Sequence, residues 1–185
     1  MTIILASQSP RRKELLQLLV DEFEIIPADI DETIQPSDEP KEYVLRMAKE
    51  KARVISQQHP ESLVIASDTI VVNEHDILGK PTSREDARRM LQQMSGQTHD
   101  VYTAVVIHSK EKHLEQIAAA QVTFFDLSED EITRYLDKQE YQDKAGAYGI
   151  QGAAATFVQT INGDYYAIVG FPVGVVHQML KEFSL

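Results

Sequence analysis

SLVIASDTIVV (62–72) is the stretch on which the fold turns. Its apolar, β-branched content reads as a strand run, interrupted by a single acid, Asp68. Burying an unpaired carboxylate is expensive, so Asp68 should be paired, bound to a metal or functional. The plainer alternative is an Asp at a strand end, capping the neighbouring turn.

Working outward, NEHD (73–76) reads as a hairpin turn that returns through ILGKP (77–81). Pro81 forces Lys80 into an extended backbone that aims its side chain reproducibly, although a solvated loop lysine is the favoured reading for this residue taken alone. Upstream, PKEYVLRMAKEKARVISQQH (40–59) is an amphipathic helix in which Val44, Met47, Ala48, Ala52 and Ile55 recur every three or four residues. Lys51 lies one turn from Met47 and Ile55, at the edge of that buried face. FEIIP (23–27) reads as another strand, followed by an acidic loop to about Pro40. TIILA (2–6) reads as a buried strand running into SQSP, where Ser9 is placed to cap a helix and Pro10 to open it. That helix is expected to reach about Val20, with Leu15, Leu16, Leu18 and Leu19 on its core face.

Downstream, SREDARRMLQQMSG (83–96) has a capping Ser83, acids in its first turn and a terminal Gly96. THDVYTAVVIHS (98–109) and HLEQIAAAQVTFFDL (113–127) read as two long antiparallel strands. SEDEITRYLDKQ (128–139) opens a helix with a capping box formed by Ser128 and Glu131. DKAGAYGIQG (143–152) is a glycine-rich loop, TFVQTINGDYYAIVG (156–170) reads as a hairpin about Asn162-Gly163, and PVGVVHQMLKEF (172–183) closes as a helix. Strands mixed with helices, including long antiparallel pairs, predict an α/β (α+β mixed) protein with one extended mixed sheet flanked by helices.

The length of 185 residues suits one domain or two intimate lobes, and no linker divides it. Without cysteine there are no disulfides, thiolate nucleophiles or thiolate-ligated zinc, which fits a reducing compartment. The first residues, MTIILASQSPRR, place their positive charges after a short apolar run, the reverse of a signal peptide. No apolar stretch approaches the roughly 18 residues of a membrane span. A cytoplasmic protein with no membrane partner is the expectation. With 18 basic and 29 acidic residues the net charge is −11, which opposes binding to nucleic acid. Basic residues do cluster locally, at Arg11, Arg12 and Lys13, so a small anion could still find a site.

P-loop, serine-hydrolase, zinc-protease and dinucleotide-binding signatures are missing. Three polar groupings remain. The strand-to-helix turn S-x-S-P-R-R (7–12) offers hydroxyls, backbone donors and guanidinium forks to a phosphate. Arginine in a first turn opposes the helix dipole unless an anion is present, but a plain cap with solvated arginines is the competing reading. Asp68 with Lys80 is the second grouping. The third is A-G-A-Y-G-I-Q-G (145–152), whose glycines permit close backbone approach and whose Gln151 both donates and accepts. His59, His75, His99, His108, His113 and His177 show no metal-ligand spacing and read as surface or core residues.

ASQSPRRKELL (6–16), KEKAR (49–53), SDTIVV (67–72), LGKP (78–81), MSGQTHDVYTAV (94–105), DKAGAYGIQG (143–152) and INGDYYAIVGFP (161–172) together resemble the Maf family, in the family's order and over almost the whole chain. The resemblance implies a single Maf-like domain over 1–185, with a long mixed sheet and a cleft between two lobes, similar to the inosine-triphosphate pyrophosphatase superfamily. It implies hydrolysis of a nucleoside triphosphate between its α and β phosphates, with Mg²⁺ or Mn²⁺ as cofactor. Carried over by motif, Asp68 is the proton acceptor, and Ser7, Arg12, Glu32, Lys51 and Lys80 line the phosphate and metal site; the chemistry of those residues leads us to expect Ser7, Arg12, Lys51 and Lys80 on phosphate and Glu32 and Asp68 as oxygen ligands of the metal. Arg11, Thr69 and Gln151 match substrate-selecting positions, and their identities look like the dTTP/UTP branch rather than the 7-methyl-GTP branch. A glutamine amide could pair with the O4 and N3–H edge of uracil or thymine, while donor-only Arg11 favours a carbonyl over the amino group of cytosine. The family also implies three further expectations: action on modified uridine triphosphates, a homodimer by analogy, and, as a different class of reading, a regulatory binding role linked to septum formation.

Overall fold

The computed structural model describes residues 1–183. The chain forms two compact units. The first comprises Met1–Asp68, Thr103–Ala118 and the segment from Gly170 onward; the second comprises Thr69–Tyr102 and Ala119–Val169. The strands pair into one mixed sheet of order β2-β1-β3-β5-β6-β7, with β4 on β3.

In the first unit, β1 (Ile3–Leu5) pairs in parallel with β2 (Glu24–Ile25) and with β3 (Leu63–Asn73), in the registers Leu5 to Ile25 and Leu5 to Ile65. Parallel neighbours need crossover connections. These are α1 (Pro10–Leu16) between β1 and β2 and α2 (Pro40–Gln58) between β2 and β3. Ile4, Leu5 and Leu63 to Ala66 are fully buried, the signature of strands covered on both faces. Helix α2 buries Val44, Met47, Ala48, Ala52 and Ile55 as the periodicity requires, and Lys51 with them. The C-terminal helix α6 (Val173–Lys181) adds Val176, Met179 and Leu180 to this core.

Two elements of this unit are shorter than the sequence predicts. Helix α1 stops at Leu16, and the chain tightens into a turn in which the Leu18 amide donates to Leu15 and that of Leu19 to Leu16. The tighter winding rotates Leu18 off the core face and leaves it 68% exposed, so Leu15 and Leu16 alone are fully buried there. Strand β2 is two residues long and exposed, as befits a sheet edge with one neighbour. Asp68, by contrast, does not interrupt β3, which runs unbroken from Leu63 to Asn73.

In the second unit, β4 (Asp76–Leu78) folds back on β3 with Val71 opposite Leu78. Helix α3 (Arg84–Met94) is capped by Ser83, whose hydroxyl accepts from the Asp86 amide at 3.0 Å. Gly96 leaves it at φ 65°. Strands β5 (Thr98–His108) and β6 (His113–Phe124) follow, and α4 (Glu129–Asp137) opens with the full capping box of Ser128 and Glu131.

Segment 156–170 is not a hairpin. Asn162-Gly163 ends a single strand, β7 (Val158–Gly163), which pairs antiparallel with β6, and Asp164 then opens a short helix, α5 (Tyr165–Val169). Gly163 is needed for close approach rather than for a turn: a Cβ there would lie 2.6 Å from the Ala119 carbonyl. The Asp164 carboxylate accepts from the Tyr166 amide at 2.8 Å and so takes up a donor of the new helix. No helix among the described residues is long and apolar enough to cross a membrane.

Candidate active site

Helix α2 sets Tyr43, Met47 and Lys51 one above another at intervals of four residues, on its buried face. A lysine there must find partners, and Lys51, only 8% exposed, has two. Its Nζ lies 2.6 Å from Asp68 Oδ1 and 2.7 Å from Glu32 Oε1. Asp68 projects from the end of the buried run of β3, with its side chain 13% exposed. Glu32 comes from the irregular segment between β2 and α2. The Tyr43 hydroxyl donates to the Glu32 carbonyl at 2.7 Å, so one helix holds this residue by both backbone and carboxylate. Burial, followed by the charges of Asp68 and Glu32, pushes the Tyr43 phenol up to about 12.

The strand-to-helix turn lies in the same unit. Ser7 is buried, and its Oγ accepts from the Ser9 amide at 3.1 Å and from Arg12 Nη1 at 3.4 Å. Ser9 caps α1, as expected. Arg12 Nε donates to the Gly170 carbonyl at 2.9 Å, an oxygen that also accepts from Ser67 Oγ at 3.1 Å. The guanidinium is therefore fixed in orientation. Burial lowers its pKa most; the negative charge of Asp68 opposes that, Arg11 adds to it and Glu32 again opposes it. These couplings put Arg12 in one electrostatic neighbourhood with Asp68 and Glu32. Arg11, half-buried, stands beside it in the first turn of α1.

Ser7, Arg11, Arg12, Glu32, Lys51 and Asp68 thus all belong to the first unit, and Thr69, Lys80 and Gln151 to the second. Thr69 is half-buried on β3; Lys80 and Gln151 are exposed. The loops that carry Lys80 and Gln151 are tied together, because the Gly146 amide donates to the Gly79 carbonyl at 3.1 Å. Gly146 has φ 68°, and a Cβ there would meet Val71 Cγ2 at 2.8 Å, so this close approach requires glycine.

Glu32 and Asp68 converge on one ammonium, which marks a place where positive charge is stabilised between two carboxylates. Among the described residues no group of three or more His, Asp and Glu is arranged to hold a metal ion. Oxygen-only donors of this number suit a hard divalent cation such as Mg²⁺, which commonly takes one or two carboxylates and completes its shell with water and phosphate oxygens. The donor set fits.

The sequence reading did not single out Tyr43 or His99. Tyr43 was legible as a polar-tipped side chain two turns before Lys51 on the same helical face. His99 was legible as an inward position of β5, on the same face as the buried Val101 and Thr103.

A family model described as Maf-like protein matches residues 2–183. The chain belongs to the Maf family. Among its relatives, a dTTP/UTP pyrophosphatase of Bacillus cereus (strain G9842) is 46% identical over 183 residues, spanning 99% of this Maf-family chain and 96% of the relative. One from Bacillus cytotoxicus is 47% identical over 181 residues, spanning 98% and 95%. The solved structure of a HAM1 protein from Coxiella burnetii is similar at a TM-score of 0.52 and 16% identity, covering 98% of this chain and all of that one. The Staphylococcus aureus Ham1 protein gives 0.50 at 12% identity, over 67% and 72%. At those identities the likeness concerns the fold, a mixed α/β architecture.

Proposed function

We propose that this Maf-family chain is a nucleoside-triphosphate pyrophosphatase that hydrolyses dTTP and UTP between the α and β phosphates, releasing the monophosphate and pyrophosphate. The observation that carries the reading is Lys51, buried and gripped by Glu32 and Asp68 beside the oriented Arg12. It is supported by relatives of 46% identity over nearly the full chain that bear that activity in their names.

The leaving pyrophosphate carries concentrated negative charge, so its departure requires fixed cations. Arg12 presents a guanidinium fork held by Gly170, Lys51 a point charge, and Lys80 a second ammonium on the loop after β4. Ser7 adds a hydroxyl. Asp68, a carboxylate held by Lys51, accepts the proton of the attacking water. Glu32, with Asp68, would hold a divalent cation such as Mg²⁺ or Mn²⁺. When bound, that ion neutralises phosphate charge and lowers the pKa of bound water. Gln151 and Arg11 read the carbonyl-bearing edge of uracil and thymine, and Thr69, next to Asp68 on β3, completes the selecting set.

A nucleotide panel tests the substrate. Pyrophosphate release is measured with dTTP, UTP, CTP, GTP and 7-methyl-GTP, with and without Mg²⁺ or Mn²⁺. Turnover that depends on metal and is confined to dTTP and UTP is expected. Turnover of 7-methyl-GTP instead would leave the hydrolysis standing and overturn the roles of Arg11, Thr69 and Gln151.

A further inference from the structure

Within the second unit, His99 on β5 is 1% exposed, and its Nε2 lies 2.7 Å from the hydroxyl of Tyr148. Its Nδ1 is buried with no hydrogen-bond partner among the described residues, so the contact with Tyr148 is the polar interaction that this ring makes. Retaining an incompletely satisfied polar ring in a core where a Leu or Phe would pack costs stability and calls for an explanation. His99 stands edge-on to Phe124 at 4.8 Å and to Tyr148 at 5.4 Å between ring centroids, and Phe124 and Tyr148 are 5.0 Å apart, so a rigid aromatic wall grips the tyrosine.

Tyr148 follows two successive left-handed residues, Gly146 at φ 68° and Ala147 at φ 64°. The second has a Cβ and costs about 1 kcal/mol in that conformation, which persists only where surrounding bonds over-determine it. Those bonds are visible: the Tyr135 hydroxyl donates to the Ala147 carbonyl at 3.0 Å, and His99 holds Tyr148 one residue further on. Beyond them the chain runs through Gly149 and Ile150 to Gln151. We propose that His99 is a specificity-positioning residue that acts through Tyr148 to fix the 145–152 loop, and hence the amide of Gln151, in the orientation that reads the base. The inference rests on the proposed reading of Gln151 as a base-selecting residue. Burial holds the His99 imidazole down at about 4 and raises the Tyr148 phenol, so both partners stay neutral throughout the physiological range.

The loop's other anchors do not make His99 redundant. Gly146 is tied to Gly79, and Ala153 donates to Glu140 Oε2 at 2.8 Å, but these hold the two ends of the segment; between them Tyr135 holds the Ala147 backbone from outside the loop, and Tyr148 is anchored through its own side chain.

The test compares the wild type with Tyr148→Phe, His99→Phe and His99→Gln. Steady-state kinetics on UTP and CTP are combined with hydrogen exchange of the amides of residues 146–152. Tyr148→Phe and His99→Phe are expected to lower the UTP-to-CTP ratio of kcat/KM by about tenfold or more, mainly through KM for UTP, with kcat on UTP within about threefold of wild type. The loop amides should exchange faster. His99→Gln, whose amide nitrogen falls near the place of Nε2, should restore most of the ratio. A merely structural role would lower the thermal midpoint and slow every nucleotide by one factor. An unchanged ratio in folded Tyr148→Phe and His99→Phe, or equal losses in His99→Phe and His99→Gln, overturns the proposal. Absence of turnover by the wild type on any nucleotide is instead a failure of the functional reading, and the exchange comparison still decides whether His99 holds the loop.

Discussion

Lys51 carries much of the chemistry proposed for this chain, and its surroundings make its removal informative. Lys51→Met would remove the ammonium that Asp68 and Glu32 share, in a site where Lys51 and Asp68 are mostly buried and Glu32 is 37% exposed. Removing one partner from a buried ion pair is strongly destabilising, but the exposure of Glu32 and the charge of Arg12 moderate it, and a loss of about 2 kcal/mol is expected. Chemical denaturation checks this. Adding Asp68→Asn to Lys51→Met should recover part of the stability, whereas additive losses would contradict the triad. His99 yields a pH prediction at the same scale. Its folded pKa of about 4 lies below the ordinary 6.5, so it contributes stability that is fully present above 6.5 and is lost as pH falls towards 4. The increment is roughly 3 kcal/mol over that window. The stability of His99→Gln, measured by denaturation from pH 7 to pH 4.5, should fall less steeply than that of the wild type. Parallel curves would refute the burial account. Asp68 could be picked out from sequence because an acid in an apolar strand has few innocent explanations. Its pairing with Lys51 could not, because the two are 17 residues apart and only the packing of α2 joins them.

The elements were most legible where local chemistry decides them. The capping box at Ser128, the capping Ser83, the period of α2 and the long strands β5 and β6 all follow from side chains near in sequence. The misread elements are those whose state is set by a distant partner. Asn162-Gly163 carries a strong hairpin signal, yet its glycine is there so that β7 can press against Ala119 and Ala120 of β6, a contact some 40 residues back in sequence. The end of α1 is likewise set by packing, and the leucine pattern LLQLL does not record it. Gly146 offers the element-scale prediction. Gly146→Ala places a Cβ 2.8 Å from Val71 in a left-handed conformation. A destabilisation of about 2 kcal/mol is expected from strain and overpacking together, with faster proteolysis in the 143–152 loop. A thermal midpoint unchanged from wild type would show that the loop does not need this approach.

At the scale of the whole molecule, the mixed sheet of helix-crossed parallel strands and antiparallel neighbours is what the mixture of strands and helices foretold. The strand order was beyond sequence reading, since it depends on which β-branched runs find each other across the chain. The net charge of −11 predicts that the protein does not retard single-stranded or duplex DNA in a gel at low salt, where electrostatic association is strongest. A salt-sensitive shift would reveal a segregated basic face and reopen a nucleic-acid role. The central claim is that Asp68, held by Lys51, drives hydrolysis of a nucleoside triphosphate to monophosphate and pyrophosphate. The most direct measurement is product analysis of UTP incubated with Mg²⁺ and either wild-type protein or Asp68→Asn, both shown by circular dichroism to be folded. The account predicts equimolar UMP and pyrophosphate from the wild type, with a rate at least about a hundredfold lower in the variant. Release of UDP and orthophosphate, or an Asp68→Asn rate equal to wild type, would contradict it.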